Sequence, residues 1–266
     1  MSPLFESLVR NSLSLMPIDD ESSPLLVDEA RTLSRAETSE EPKFLLQLND
    51  KEVNLEELED LMEYPRIKTV RDLRLDRSEF GDEGAALIAR SNSLSRLVSL
   101  SLADNKLTDS AIRSLAGSPT LKCLRNLYLQ SNHLSAAGME FLAASESLAD
   151  LEILYLKDNS LGPEGIRALA QSANLQHLRE LYLENTRMGI EGLEALCGTE
   201  ILSHVTTLSL PRNGLDDRAA EILCACESLG RLVTLDLCRN KVSEEAQAKL
   251  KISPRLSSLK ALQVDW

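Results

Sequence analysis

Aromatic side chains are scarce in this sequence, which has four Tyr, four Phe and one Trp among 266 residues, so any core must be built from aliphatic side chains. Long apolar runs are missing too. Nothing approaches the ~18 consecutive apolar residues of a membrane span, and Met1 to Arg10 lacks the basic start and apolar stretch of a secretory signal. A soluble, cytoplasmic protein is expected, without a membrane partner. Five cysteines form no compact framework, which points to free thiols in a reducing compartment. No glycosylation sequon occurs. Basic charge is also short: the net charge is -13, with residues 1–42 holding nine acidic against three basic residues and 43–69 seven against four. An acidic leader on a nearly neutral body offers no broad basic face for nucleic acid.

Repetition is what the chain does have. From Val70 one register recurs at Leu97, Leu124, Leu151, Leu178, Val205 and Leu232, giving seven units of 27 residues and a partial one from Leu259. The fourth and sixth positions are always Leu, from Leu73/Leu75 to Leu235/Leu237, and the twenty-fifth runs from Leu94 to Leu256. The ninth is Asn at 105, 132, 159, 213 and 240, with Ser78 and Thr186 as hydroxyl-bearing exceptions. Alternation at positions four to six predicts a short strand with both Leu on one face. The segment after it, such as GPEGIRALAQSA from 162 to 173, has helical spacing through Ile166, Leu169 and Ala170. A buried Asn at position nine predicts a hydrogen-bonded ladder joining neighbouring turns. Burying a Leu contributes roughly 1.5–3 kcal/mol, while fixing each residue's backbone costs about 1–2 kcal/mol. Only stacked units supply both walls of the core.

The pattern L-x-x-L-x-L-x-x-N-x-L, followed by G-x-x-x-L-A-x-S, resembles the leucine-rich repeat family over about residues 70–266. The 27-residue length with a helical second half is most similar to the ribonuclease-inhibitor class. The resemblance implies an α/β fold, a right-handed horseshoe solenoid with a parallel sheet on the concave face and helices on the convex one. It implies binding rather than chemistry.

The ends are less regular. Residues 43–69 keep Leu46, Leu48, Val53, Leu58, Leu61 and Ile67 at core positions, but Lys43 and Lys51 replace the first Leu and the Asn, which marks an N-terminal cap. Residues 259–266 supply a terminal strand, whose open edge is covered by Trp266 or mediates dimerisation. Residues 1–42 have no register and are expected to be a disordered leader; a helix docked on the array from the Leu4, Phe5, Leu8, Val9 stripe, and a leader for specialised secretion, are the alternatives.

No phosphate-binding, metalloprotease, serine-hydrolase or C-x-x-C motif occurs. Gly138, Gly165 and Gly192 share position fifteen and read as packing residues. Cys197 and Cys224 take position twenty, Cys226 replaces a Ser or Thr at position twenty-two, and Cys238 is the thiol expected to be reachable. Position twenty-seven carries Cys123, Asp150, His177 and His204, metal-ligand types whose flat spacing, flanked by Arg96 and Arg231, reads as a solvated row; no cofactor is expected. Position five reads Arg74, Ser101, Tyr128, Tyr155, Tyr182, Ser209, Asp236 and Gln263 along the concave face. Three tyrosines form an anchored centre, with Arg74, Gln130, Lys157, Glu184 and Asp236 around it, for a protein or peptide partner; inherited ornament or ring-on-ring packing is the other reading. Two functions compete with non-enzymatic binding. One is activation of a small GTPase through Arg77 and Asp104, and the other is a secreted effector that binds a host protein.

Overall fold

The computed structural model describes residues 1–16, 43–78 and 80–264. Each repeat places a short strand, a turn and a helix in the order the leucine spacing predicts. The strands are β2 (Phe44–Gln47), β3 (Val70–Arg74), β4 (Ser99–Ser101), β5 (Asn126–Tyr128), β6 (Ile153–Tyr155), β7 (Glu180–Tyr182), β8 (Thr207–Ser209), β9 (Thr234–Asp236) and β10 (Ala261–Gln263). Behind them lie α2 (Leu55–Glu63), α3 (Gly81–Arg90), α4 (Asp109–Ala116), α5 (Ala136–Ala143), α6 (Gly162–Ala170), α7 (Gly189–Cys197), α8 (Asp217–Ala225) and α9 (Glu244–Ile252). Strands β2 to β10 pair in parallel in chain order, so that Leu100 meets Leu127, Leu127 meets Leu154 and Leu154 meets Leu181. Adjacent strands lie about 4.8 Å apart whereas a helix is about 10 Å across, so stacking bends the array with the sheet on its inner side. The fold is an open α/β solenoid.

Leucines at positions four, six and twenty-five fill the space between the two layers. Leu73, Leu100, Leu127, Leu154, Leu181, Leu208 and Leu235 are all fully buried. Helix starts are built in two ways at the twelfth position. Gly81, Gly162 and Gly189 take a positive φ there. Thr108, Ser135, Asp216 and Ser243 instead cap the helix with a side-chain oxygen. Three of these caps are also held from the previous helix: Asp82 accepts from Thr108 N at 2.7 Å, Asp109 from Ser135 N at 2.8 Å and Asp217 from Ser243 N at 2.7 Å. At Gly138 an added Cβ would come within 2.4 Å of Asp109 Oδ1, so the carboxylate that holds Ser135 would have to shift.

Side-chain ladders tie the units together. Asn132 Oδ1 accepts from Asn105 N and Leu107 N, each at 3.0 Å, while its Nδ2 donates to Leu102 O and Leu129 O. Asn240 repeats this geometry with Asn213 N and Leu215 N. Thr186 interrupts the series: its hydroxyl satisfies Leu183 O at 2.9 Å but offers no amide to reach back to the preceding unit. A second ladder runs behind the helices, where Ser118, Ser145 and Ser172 donate to the carbonyls of Ala89, Ala116 and Ala143.

The N-terminal end corrects the sequence expectation of a disordered leader over 1–42. Residues 3–15 form α1 (Pro3–Asn11) and β1 (Leu13–Leu15) instead. Ser2 caps the helix, Phe5 and Val9 are buried in the core, and β1 pairs antiparallel with β2, Leu13 opposite Leu46. The cause is the exposed end of the array. The apolar stripe one turn apart covers it, and β1 satisfies a strand edge that would otherwise stay open. The rest of that leader, residues 17–42, and the expected Trp266 plug lie outside the described residues. At the other end, among the described residues, β10 pairs with β9 alone, and Ile252 is exposed.

Two consequences are open to measurement. Phe5→Ala is expected to lower stability by about 3–5 kcal/mol and to raise hydrogen exchange in β2 and α2. Leu4→Ala, on the exposed side of the same helix, should change it by under ~0.5 kcal/mol. Equal effects would show that α1 is not docked. Asn132→Ala strands two buried N–H groups and is expected to destabilise by about 2–5 kcal/mol, read from urea unfolding. A loss below ~1 kcal/mol would remove the ladder from the account.

Candidate interaction surface

Position five of each strand points away from the leucine core, and the parallel register places Tyr128, Tyr155 and Tyr182 side by side. The rings stack on one another. Tyr155 and Tyr182 have centroids 3.7 Å apart at an interplanar angle of 14°, and Tyr128 and Tyr155 are tilted at 5.2 Å. Tyr128, expected to face solvent, is instead only 6% exposed. Tyr155 and Tyr182 remain half-buried. The ring packing weighed from the sequence is therefore present, and it leaves one broad aromatic plate rather than three separate side chains.

Position three supplies the plate's polar partners, which the sequence reading passed over. Tyr182 donates its hydroxyl to Glu180 Oε2 at 2.7 Å. Asp72, buried, holds Arg74 through bonds of 3.2 Å to Nε and 2.9 Å to Nη2. Residues i and i+2 share one face of a strand, so a scan for charge pairs at that spacing would have found Asp72–Arg74 and Glu180–Tyr182. Burial pushes the Tyr128 phenol up, and nearby Asp72 adds to it. Burial and the Glu180 bond together push Tyr182 above the ordinary phenol range. Burial by itself would lower the Arg74 guanidinium, but its bonds to Asp72 outweigh that and leave it raised.

The surrounding candidates are unequally available. Lys157 and Glu184 pair at 2.8 Å across adjacent units. Asp236 accepts from its own Cys238 N at 2.9 Å. Gln130 is half-buried, and its Oε1 is desolvated with no donor among the described residues. The structure thus places Gln130, Lys157 and Glu184 two residues past the three tyrosines, just beyond the ends of β5, β6 and β7. Arg74 stands two units before Tyr128 and Asp236 two units after Tyr182, at the ends of the row.

Other candidates fall elsewhere. Arg77 is engaged by Asp50, a pairing that raises the arginine and lowers the carboxylate, so its guanidinium is held against the cap. Asp104 sits in the next turn with a φ of 53°. A positive φ recurs at Arg77, Asp104, Ser131, Asp158, Asn185, Arg212 and Arg239, the eighth residue of every unit, without a glycine to announce it. Asp150, His177 and His204 are exposed, and no three metal-ligating side chains converge among the described residues. Cys238, expected to be the reachable thiol, is half-buried in the turn after β9, whereas Cys123 is exposed.

Four segments, residues 95–116, 120–143, 148–170 and 174–197, match the family model for the leucine-rich repeat. Residues 95–197 thus carry leucine-rich repeats. A crystal structure of an internalin, inlF from Listeria monocytogenes str. 4b F2365, is similar in fold, with a TM-score of 0.51 at 18% identity. The match covers 78% of this chain and 54% of the internalin, so the chain spans about half the length of that structure. No curated protein matches the sequence. Among the described residues no helix is long and apolar enough to cross a membrane. Leucine-rich-repeat and other solenoids present an extended inner surface, and here its centre is the tyrosine plate.

The raised phenols have a stability consequence with a definite sign. The unfolded phenol titrates near ~10, and the folded ones lie higher. The stability from keeping them neutral is fully present below pH ~10 and is lost as pH rises through the folded values. A Tyr128→Phe/Tyr155→Phe/Tyr182→Phe variant is therefore expected to lose less stability than wild type above pH ~10, followed by circular dichroism. Identical alkaline losses would contradict the burial of these hydroxyls.

Proposed function

We propose that the protein is a non-enzymatic binding scaffold that holds a protein or peptide segment across the sheet face of repeats three to five. Tyr128, Tyr155 and Tyr182 form the anchored centre, and Arg74, Gln130, Lys157, Glu184 and Asp236 form the rim. The observation that carries this reading is the stacked tyrosine plate itself, the widest aromatic surface in a chain almost devoid of rings. Its rings are already ordered by mutual stacking, so a partner meets them with little further loss of side-chain freedom. Gln130 Oε1 adds a desolvated acceptor beside the plate, suited to a backbone N–H of an extended segment. The Lys157–Glu184 pair offers both signs of charge for register rather than affinity.

Within this reading, residues 43–69 are the capping unit, 70–258 are seven repeats of the ribonuclease-inhibitor-like class, and 259–266 are the terminal strand. The strand register, in which each Leu pairs with the Leu 27 residues on, supports that class. Held by Asp50, Arg77 is poorly placed to serve a GTPase, which favours binding over catalysis.

A photo-reactive benzophenone side chain at Lys157 is expected to cross-link partner protein from a lysate, while one at Glu140, on the outer face of α5, is not. For the captured partner, Tyr155→Ala should weaken affinity by about 30-fold, the ~2 kcal/mol of a central anchor. Capture from position 140 alone, or unchanged affinity, would move the interface off the sheet.

A further inference from the structure

In three units, position twenty-two is a serine aimed at the carbonyl of position twenty in the preceding helix. Ser118, Ser145 and Ser172 each reach that carbonyl at 2.5–2.7 Å. Only between α7 and α8 are both members of this pair cysteines. Cys226 takes the serine's place and keeps its direction, with Sγ 3.7 Å from the carbonyl oxygen of Cys197, 29 residues away. The Cys197 thiol is also the neighbour that most affects the Cys226 thiol, and Ser228 Oγ lies 3.4 Å from Cys226 Sγ. Cys226 is 3% exposed while Cys197 is partly open to solvent. A buried thiol in contact with an accessible one is the arrangement in which a first sulfur meets an oxidant and a second resolves it.

We propose that Cys197 and Cys226 form a reversible dithiol site, closed to an intramolecular disulfide by exchange with a low-molecular-weight disulfide, which staples α7 to α8. The neighbouring Cys197 thiol holds the Cys226 thiol down, which makes Cys226 the proton acceptor of the pair. Cys197, the proton holder, is pushed up by its neighbour Cys226 and by burial. In the first step Cys197 sulfur attacks the disulfide RSSR, its proton passes to Cys226, and one RS⁻ leaves. In the second, Cys226 gives up that proton to the departing thiolate's pool and attacks Cys197 Sγ. The new S–S bond forms as the second RS⁻ is expelled. Both cysteines are oxidised by one electron each, and RSSR is reduced to RSH and RS⁻, so electrons, protons and charge balance.

Cys224 is the internal comparison, since it shares position twenty with Cys197 and has no cysteine at the matching place in the next unit, where Ser253 stands. The full chain is incubated with oxidised glutathione at pH 7.5, alkylated, digested and analysed by mass spectrometry. The expected result is a Cys197–Cys226 cross-linked peptide that dithiothreitol removes, with exposed Cys123 carrying only glutathione. Cys226→Ser restores the residue type of five other units, so it should fold as wild type by circular dichroism. It should lose the cross-link and accumulate glutathione on Cys197, whereas Cys224→Ser should keep the cross-link. The oxidised chain should also melt higher than the reduced one, a difference absent in Cys226→Ser. Glutathionylation of Cys123 with Cys197 and Cys226 both remaining free thiols would overturn the proposal, as would a cross-link that survives Cys226→Ser.

Discussion

Each unit of this solenoid leaves its turn backbone unsatisfied until the neighbouring unit supplies a side chain, and the position-nine asparagine is the group that does so. Most strands here are three residues long, too short to fix a register by their own ladder bonds. Asn132 bridges four backbone groups across two units, and with it the carbonyl and N–H groups buried beneath the leucines are accounted for. A unit with a different length would carry its asparagine out of reach of those groups. The constant period is thus imposed by hydrogen bonding as much as by leucine packing, and the serine ladder behind the helices applies the same constraint on the other wall.

The surface inherits that regularity. Once units are locked in register, any residue type repeated at position five becomes a continuous column on the sheet, spaced at about 4.8 Å. Tyrosine at that spacing stacks, as Tyr155 and Tyr182 do at 3.7 Å between centroids. A small polar residue at the same place makes a separate contact instead, as Ser101 does by donating to Asp76 Oδ1 at 2.5 Å. The fold therefore converts three point identities into one rigid plate, and its Tyr182 hydroxyl is tied down by Glu180 on the same strand. The same logic generates the dithiol: two positions that face each other between every pair of units become chemically distinctive only where both are cysteine.

Much of this architecture was legible because its determinants repeat. Leu73 to Leu235 announce the strand face and Asn105 to Asn240 the ladder, since each is visible seven or five times in one register. What repeats only once was harder to read. Phe5 and Val9 form one short stripe outside the register, and that they dock follows from the bare end of the array, a tertiary fact. The burial of Tyr128 depends on its neighbour Tyr155 and on the Asp72–Arg74 pair two strands away, none of which a one-dimensional face assignment weighs. The left-handed turn at position eight is occupied by Arg, Asp, Ser and Asn, so no glycine marks it. Cys197 and Cys226 are 29 rather than 27 residues apart, and their meeting emerges only when the serine ladder shows which positions oppose.

The central claim is that the tyrosine plate is where a partner is held, and fluorine NMR of the whole chain labelled with 3-fluorotyrosine addresses it most directly. The protein has four tyrosines, so the spectrum has four assignable signals, three from the plate and one from Tyr64 on the capping unit. On titration with a partner captured by cross-linking, the account predicts that the signals of Tyr128, Tyr155 and Tyr182 shift or broaden together while Tyr64 stays in place. Movement of Tyr64 with the three plate signals unchanged would contradict it.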